Sequence, residues 1–492
     1  MLSAASVGRV GEKEFSSWVA SAALPAHDTT MTTTWRSTFQ PARFGTSLPD
    51  GRVQCGLCPR HCTLREGQQG FCGVRGVREG KLVTFNWGKS VHPTEETIET
   101  EAVFHYAPGS RILSMGNIGC MMNCSYCHNW KTSQSKYVVD ADVHQLTPEG
   151  VVDTALRHGI QVLSWTYNDP VVWHEFVVET ATLARRHGLR NLYKSAFYIT
   201  PQAIDELIPV MDIFSLSLKS MDPAYYRKLT KGELAPVLDG IRQVHRSGKH
   251  LEVSNLMITD LSDDAANAEL VARFVHDELS PKVPLHFVRF HPDYRMKDTI
   301  RTPIDRLERA REIGLRVGVQ HVYLGNVYGT ASAHTNCHAC GSKLVERHGL
   351  RATLVGLAGD GTCRACGVMS GVVSGVVAES LGTSPTVTTQ VAGARVVRHI
   401  WQGDVRSLHV QARNNGVVAA AVLVRPVGGT SWATRTLAAG ESYRFLVAMN
   451  SADEVGVDIA AAPGVETDVH DVLDRAHFPV SEDVALEPEL AS

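Results

Sequence analysis

The stretch CMMNCSYCHNW, residues 120–130, decides how the rest of the chain is read. It carries three cysteines, Cys120, Cys124 and Cys127, spaced C-x3-C-x2-C. A closed structural zinc site takes four protein ligands, and an ordinary iron–sulfur cluster takes four thiolates. Three thiolates on one short loop form an incomplete shell. A four-iron cluster held this way leaves one iron open to a ligand that is not protein. Gly119 permits the tight turn that wrapping a cluster requires. The competing reading is a zinc ion completed by a remote ligand such as His128.

The loop follows the first of seven β-branched, apolar runs: RILSMG (111–116), QVLSWTY (161–167), RNLYKSAF (190–197), DIFSLSLK (212–219), LEVSNLMI (251–258), LHFVRFH (285–291) and VYLGNV (322–327). Between them lie helical stretches with clear punctuation. Thr147-Pro148, Asp169-Pro170, Thr200-Pro201 and Thr302-Pro303 each set a capping oxygen before a proline suited to the first helical position. Gly159, Gly188, Gly248 and Gly314 stand where helices should stop. Repeated strand–helix units predict a parallel sheet with right-handed crossovers, open or curled into a full or partial barrel. In such barrels chemistry sits at the C-terminal ends of the strands, where Cys120 falls.

The remaining eight cysteines form two sets, Cys55, Cys58, Cys62 and Cys72, and Cys337, Cys340, Cys363 and Cys366. Sets of three and four suit metals better than disulfides, and thiolate–metal sites belong to reducing compartments. A cytoplasmic metalloprotein is expected. CHACG and CRACG (337–341 and 363–367) read as two knuckles around one tetrahedral zinc, with a rubredoxin-like iron as the minor option. The N-terminal set suits zinc or an auxiliary four-iron cluster equally. Net charge is −3 with no long basic block, which gives no support to nucleic-acid or polybasic membrane binding. No apolar run approaches the roughly 18 residues that span a bilayer, and the start lacks a secretory pattern.

Composition divides the 492 residues into a flexible extension (1–50), a four-Cys metal module (51–90), the strand–helix region (91–330), a second four-Cys module (331–372) and an all-β domain (373–492). The last shows short alternating runs such as VVAAAVLVRP, with turns at Asn415-Gly416 and Gly428-Gly429.

The cluster loop resembles that of radical S-adenosylmethionine (SAM) enzymes. CGLCPRHCTLREGQQGFCGVRG, FHYAPGSRILSMGNIGC, TYNDPVVWHEF, PLHFVRFHPDYRM, VYLGNV and TNCHACGSKLVERHG with GTCRACG, spread over about 52–370, resemble the AmmeMemoRadiSam-system proteins, relatives of the pyruvate formate-lyase activating enzymes. The resemblance implies an α/β fold, a partial (β/α)6-type barrel with an N-terminal Cys-rich module and a zinc-ribbon-like module; residues 1–50 and 373–492 lie outside it, and the sandwich-like C-terminal domain is expected from its alternating runs alone. The resemblance also implies that Cys120, Cys124 and Cys127 hold a 4Fe-4S cluster whose open iron is chelated by SAM. Reduction then yields a 5′-deoxyadenosyl radical that abstracts hydrogen from substrate, with a flavodoxin or ferredoxin as electron donor. Tyr126 would flank the adenosyl group, and Asn129, Asn168, Asp169, Ser195, Ser217 and Asn255 would help to bind SAM. Asp169 also reads as a helix cap.

Departures from the family pattern matter. The third strand ends in Tyr193-Lys194-Ser195-Ala196 and the fourth in Ser217-Leu218-Lys219, where activating enzymes carry acidic residues. Lys219 is kept, and Lys194 is expected to supply the positive charge beside the carboxylate of SAM. At the sixth strand His286, Arg289 and His291 are candidate substrate binders, with Asp293 and Tyr294 beyond. With every cysteine assigned to metal no spare thiol can donate hydrogen, which disfavours a thiol-dependent epimerase unless Tyr167, Tyr294 or a displaced ligand donates instead. The leading expectation is hydrogen abstraction from a polar small molecule, a sugar or nucleoside, leading to epimerisation, dehydrogenation or rearrangement. The alternatives are a peptide- or protein-modifying enzyme, activases included, and a non-enzymatic iron–sulfur carrier. A protein or carrier partner would engage the C-terminal domain.

Overall fold

The structure, a computed structural model, describes residues 35–327 and 331–374, and beyond them eight strands between Arg395 and Val484 with a few turn residues. The chain divides into two compact units, one running to Val152 and resuming over Gln161–Val377, the other comprising Asp153–Ile160 and the chain from Ala378.

The first unit is built on one sheet. Strand β1 (Lys89–Thr97) runs antiparallel to β2 (Arg111–Asn117). Then follow, each parallel to its neighbour, β3 (Val162–Thr166), β4 (Arg190–Ser195), β5 (Ile213–Ser217), β6 (His250–Met257), β7 (Leu285–Arg289) and β8 (Val322–Gly325). Spatial order equals chain order from β1 to β8. Six helices connect the seven parallel strands: α1 (Pro148–Arg157), α2 (His174–Arg186), α3 (Pro201–Leu207), α4 (Leu234–Arg246), α5 (Ala265–Arg273) and α6 (Ile304–Val317). Sequential right-handed crossovers put all the helices on one face. α4 shows why they dock: Leu234, Val237, Ile241 and Val244 recur at helical spacing and are buried. Among the described residues β8 pairs only with β7, so the sheet stays open.

The other face is filled by the β1–β2 connection. Ile98, Val103, Tyr106 and Ala107 pack on Ile112, Val162, Leu192 and Ile213 of β2 to β5. Above this apolar layer the Glu101 carboxylate accepts hydrogen bonds from Ser164 Oγ (2.9 Å) and Thr166 Oγ1 (2.7 Å). Towards β6 to β8, Glu252 accepts from the backbone N–H groups of Phe104 (2.9 Å) and His105 (2.8 Å), and from His286 Nε2 (2.7 Å). Burial opposes ionisation of Glu252, yet the imidazoles of His250 and His286 hold its carboxyl well below the usual range. The Glu252 contacts lie near the N-terminal ends of β6 and β7, an end of the sheet that forms a floor.

The second four-Cys module is fastened to that floor. Its hairpin, Lys343–His348 with Arg351–Leu354, brings in Arg347, whose guanidinium donates to Phe104 O and Thr335 Oγ1, both at 2.7 Å. Arg347 also lies 4.1 Å above the Phe104 ring. Val373 exchanges backbone hydrogen bonds with His105 and Ala107 (both 2.8 Å).

Two sequence expectations are corrected here. Residues 1–34 of the expected flexible extension lie outside the described residues, but 35–50 are built into the fold. Gln40–Pro41 pairs with the strand Lys81–Thr84, Gly45–Ser47 pairs with Val53–Cys55, and Trp35 is buried. Gly314 does not end α6. A β-carbon there would come within 3.0 Å of Val322 Cγ2, so it is a close-packing position, and the helix ends at Gly318 with φ 112°.

In the second unit, eight antiparallel strands form a five-stranded and a three-stranded sheet. Asn414 Nδ2 of the smaller donates to Leu437 O of the larger (3.0 Å). Of the predicted turn residues, Asn415, Gly428 and Gly429 lie outside the described residues.

Arg347→Met leaves Phe104 O, Thr335 and the buried Glu99 without their cation. A loss of about 3–5 kcal/mol is expected for breaking a buried charged network, read as a lower urea midpoint for the first unit.

Candidate active site

The C-terminal ends of β2 to β7 form a mouth opposite the floor. β2 delivers the cysteine loop. Gly119 turns it with φ 86°, and a β-carbon there would lie 2.9 Å from Cys72 O, so only glycine fits. Backbone bonds from Asn123 N to Thr230 O (3.0 Å) and Ser125 N to Leu229 O (2.9 Å) hold the loop in place. Burial pushes the thiols of Cys120, Cys124 and Cys127 up, Cys124 to about 11. Buried thiolates of this kind need a cation, which iron supplies.

The end of β3 is wired to this loop. Asn129 Nδ2 donates to Tyr167 O (2.5 Å), Thr132 Oγ1 donates to Asn168 Oδ1 (2.8 Å), and Asn168 Nδ2 donates to Asn117 O. Tyr167 takes a left-handed φ of 64°, a strained conformation of the kind that clusters at functional sites. Asp169 accepts from Ser195 Oγ (2.7 Å), Ala196 N (2.8 Å) and Val171 N (3.2 Å), the last being the helix cap expected from its proline. Burial raises its carboxyl to about 6 against those three bonds. The charges of Asp169 and Lys219 act with opposite sign on the Cys124 thiol, which sets both beside the loop.

Lys194 lies inside the sheet rather than reaching to solvent. Its ammonium donates to Ser215 Oγ (3.0 Å) and Ser254 Oγ (3.3 Å), and Ser217 Oγ is 3.2 Å from Ser254 Oγ. Burial lowers Lys194 to about 8, while Glu101 opposes the shift. Lys219 Nζ stands 5.6 Å from the centre of the buried Tyr126 ring. Trp130 stacks on Tyr294 (5.2 Å, 14°), closing the loop against the chain after β7.

Several predicted residues take other places. His286 is not at the mouth. As the second residue of β7 it lies on the floor, bonded to Glu252, because alternation gives a side chain's face but not its depth. Asn255 points away from Ser254 and supports the Lys219 loop, donating to Leu218 O (2.7 Å). The Tyr167 phenol turns towards Thr94 and Glu96 of β1. His128 Nε2 meets His291 O (2.8 Å) instead of completing a zinc shell. Arg289 and His291 line an open cavity of about 550 Å³ with His128, Asp293, Arg301 and Asn326. Sequence reasoning missed Arg301, Asn326, Glu101 and Glu252. A lone carboxylate in the apolar strand LEVSNLMI was the available signal for Glu252.

Asn117 Oδ1 and Tyr294 Oη are buried at the mouth without a hydrogen-bond partner, as ligand-binding groups are before a ligand arrives. Among the described residues, Cys337, Cys340, Cys363 and Cys366 are the group of three or more whose ligand atoms all lie within 4.8 Å of one another. The three loop thiols do not form such a single-ion group. In the second four-Cys module the Cys337–Cys366 and Cys340–Cys363 sulfurs are each 3.7 Å apart. Two ligands of one tetrahedral ion with bonds of about 2.3 Å would be about 3.8 Å apart.

The sequence profile of the radical SAM superfamily matches residues 117–271, from the end of β2 into α5. The chain belongs to the radical SAM superfamily. An uncharacterised protein of Methanocaldococcus jannaschii is 35% identical to this radical SAM enzyme over 330 residues, 67% of this chain and 98% of that one. The (2S)-3-sulfopropanediol dehydratase activating enzyme of Klebsiella oxytoca is 23% identical over 46% of this chain and 71% of its own length. The pyruvate formate-lyase-activating enzyme of Listeria monocytogenes is 23% identical over 42% and 86%. A solved radical SAM methyltransferase from Sphaerobacter thermophilus is 16% identical, with TM-score 0.37, over 48% of this chain and 71% of that one. The parallel sheet and its crossover helices make the fold α/β, and membership of the superfamily implies a 4Fe-4S cluster and SAM. No helix among the described residues is long and apolar enough to cross a membrane.

Asp169→Asn replaces an acceptor of three hydrogen bonds with a group that must turn an N–H₂ towards one of the donors. SAM affinity is expected to fall about tenfold, equivalent to about 1.4 kcal/mol, in calorimetric titration of the reconstituted protein.

Proposed function

We propose that this radical SAM enzyme abstracts hydrogen from a polar small molecule bearing an acidic group, such as a phosphorylated or carboxylated sugar or nucleoside. The observation that carries this reading is the cavity beside the cysteine loop, where Arg289 and Arg301 outnumber the single carboxylate of Asp293. Arginine pairs suit bidentate recognition of phosphate or carboxylate.

Cys120, Cys124 and Cys127 hold the cluster. What the bound cofactors supply is reductive cleavage of SAM and a 5′-deoxyadenosyl radical for hydrogen abstraction. Asn168 and Asp169 receive the amino end of SAM, and Tyr126 and Asn129 border its adenosyl group. Lys194 and Lys219, with Ser195 and Ser217 close by, provide the positive, hydrogen-bonding wall for its carboxylate. Such a charge-assisted contact contributes about 1.5–3 kcal/mol. Arg289 and His291 orient the substrate. The Trp130–Tyr294 stack limits water. With its hydroxyl unpartnered, Tyr294 is the phenol available to return hydrogen, whereas Tyr167 is turned away. Zinc is the natural occupant of the Cys337 set, where it closes a structural module. A flavodoxin or ferredoxin supplies electrons in the reducing cytoplasm that suits eleven metal-binding cysteines.

A second reading, modification of a protein, is supported by the names of the Klebsiella and Listeria relatives, both activating enzymes. The second unit would then hold the protein partner.

The test is anaerobic reconstitution with dithionite and SAM. 5′-Deoxyadenosine should form without any partner protein, and acidic sugars or nucleosides should raise its yield. Arg289→Ala should raise KM for the stimulating compound about tenfold or more and leave basal cleavage of SAM unchanged. Stimulation by a protein alone, with no response to acidic small molecules, would replace the first reading with the second. Separately, Lys194→Met should weaken SAM binding by about 10- to 150-fold, the equivalent of about 1.5–3 kcal/mol. Unchanged affinity would remove Lys194 from the carboxylate site.

A further inference from the structure

We propose that Cys55, Cys58, Cys62 and Cys72 hold a second four-iron cluster, fully ligated by protein, that relays electrons to the cluster of the Cys120 loop. This does not rest on the identity of the substrate.

Three observations carry it. The first is sulfur spacing. Among the described residues the Cys337 set is gathered as tightly as one metal ion demands, within 4.8 Å, and neither the Cys120 loop nor the N-terminal set is. The N-terminal cysteines still form one group: Cys55 N donates to Cys62 O (2.9 Å), and a β-carbon on Gly70, two residues before Cys72, would lie 3.5 Å from Cys62 Sγ. Like the loop, whose superfamily binds a cubane, and unlike the Cys337 module, they are not gathered around the position of one ion.

The second is the sequence pattern. Cys55-x2-Cys58-x3-Cys62 reverses the C-x3-C-x2-C of the loop, and Cys72 adds the fourth thiolate the loop lacks. A complete shell leaves no iron for SAM and suits electron transfer.

The third is adjacency. Cys72 O lies against Gly119, where a β-carbon would be only 2.9 Å from it. Arg60, between Cys58 and Cys62, donates through Nε to Met121 O (2.6 Å) and through Nη2 to Lys231 O. The two cysteine sets thus share a wall of backbone. In the relay a flavodoxin- or ferredoxin-class donor reduces the outer cluster by one electron. That electron then passes to the loop cluster, with no bond made or broken and no proton moved.

The test is metal analysis and electron paramagnetic resonance on the full chain, reconstituted anaerobically. Wild type should hold about eight irons and about one zinc. The C120A/C124A/C127A variant, which leaves the N-terminal module untouched, should keep about four irons, about one zinc and a reduced-cluster signal. An iron-free variant with two zinc ions, or one with two irons, would overturn the cluster. In fully reduced wild type, spin–spin coupling should broaden the signal relative to the variant. An uncoupled sum of two signals would overturn the relay.

Discussion

A parallel sheet that does not close has a face to cover, and here a buried carboxylate organises the cover. Glu252 sits where apolar packing would be expected, and it persists as a charge because two backbone N–H groups and two imidazoles converge on it. Burying an unpaired carboxylate would be prohibitive. Glu252 therefore specifies where Phe104 and His105 must lie, and with them the whole β1–β2 connection. That connection in turn positions Glu101, the negative neighbour that sustains the charge of Lys194.

The mouth is assembled by different means. Few of its groups are held by apolar packing alone. The cysteine loop hangs on backbone bonds to Thr230 and Leu229, and the end of β3 hangs on Asn129, Thr132 and Asn117. Asp169 joins two elements at once, capping the helical turn after β3 and receiving the hydroxyl and N–H at the end of β4. The polar end of β3 is thereby fixed relative to the loop before any cofactor binds, which is the preorganisation that a reactive cofactor demands.

What the sequence revealed depended on whether the signal was local. Cysteine spacing, the Asp169-Pro170 cap and strand–helix alternation are written within a few residues, and the loop, the end of β3 and the parallel sheet were readable from them. Depth along a strand is not written that way. His286 and Arg289 share one short run, yet they end on the floor and at the mouth respectively, because only the register with neighbouring strands sets their height. Glu101 and the cavity residue Arg301 lie outside any motif and gain their roles from distant partners. Gly314 looked like a stop because glycine serves both for left-handed turns and for close approach, and only the position of Val322 tells the two apart.

The fastening of the Cys337 module to the floor divides the molecule's sensitivities. Arg347, Thr335 and Tyr323 lock that end through buried polar contacts, Arg347 to Phe104 O and Thr335 Oγ1, and the Tyr323 hydroxyl to Thr335 Oγ1 (2.8 Å). A side chain exchanged there strands its neighbours in a dry interior. Around the cavity the residues are partly wetted, and solvent can replace a lost contact. New specificities are thus cheapest to acquire by altering the rim, while the base acts as a chassis that tolerates little revision.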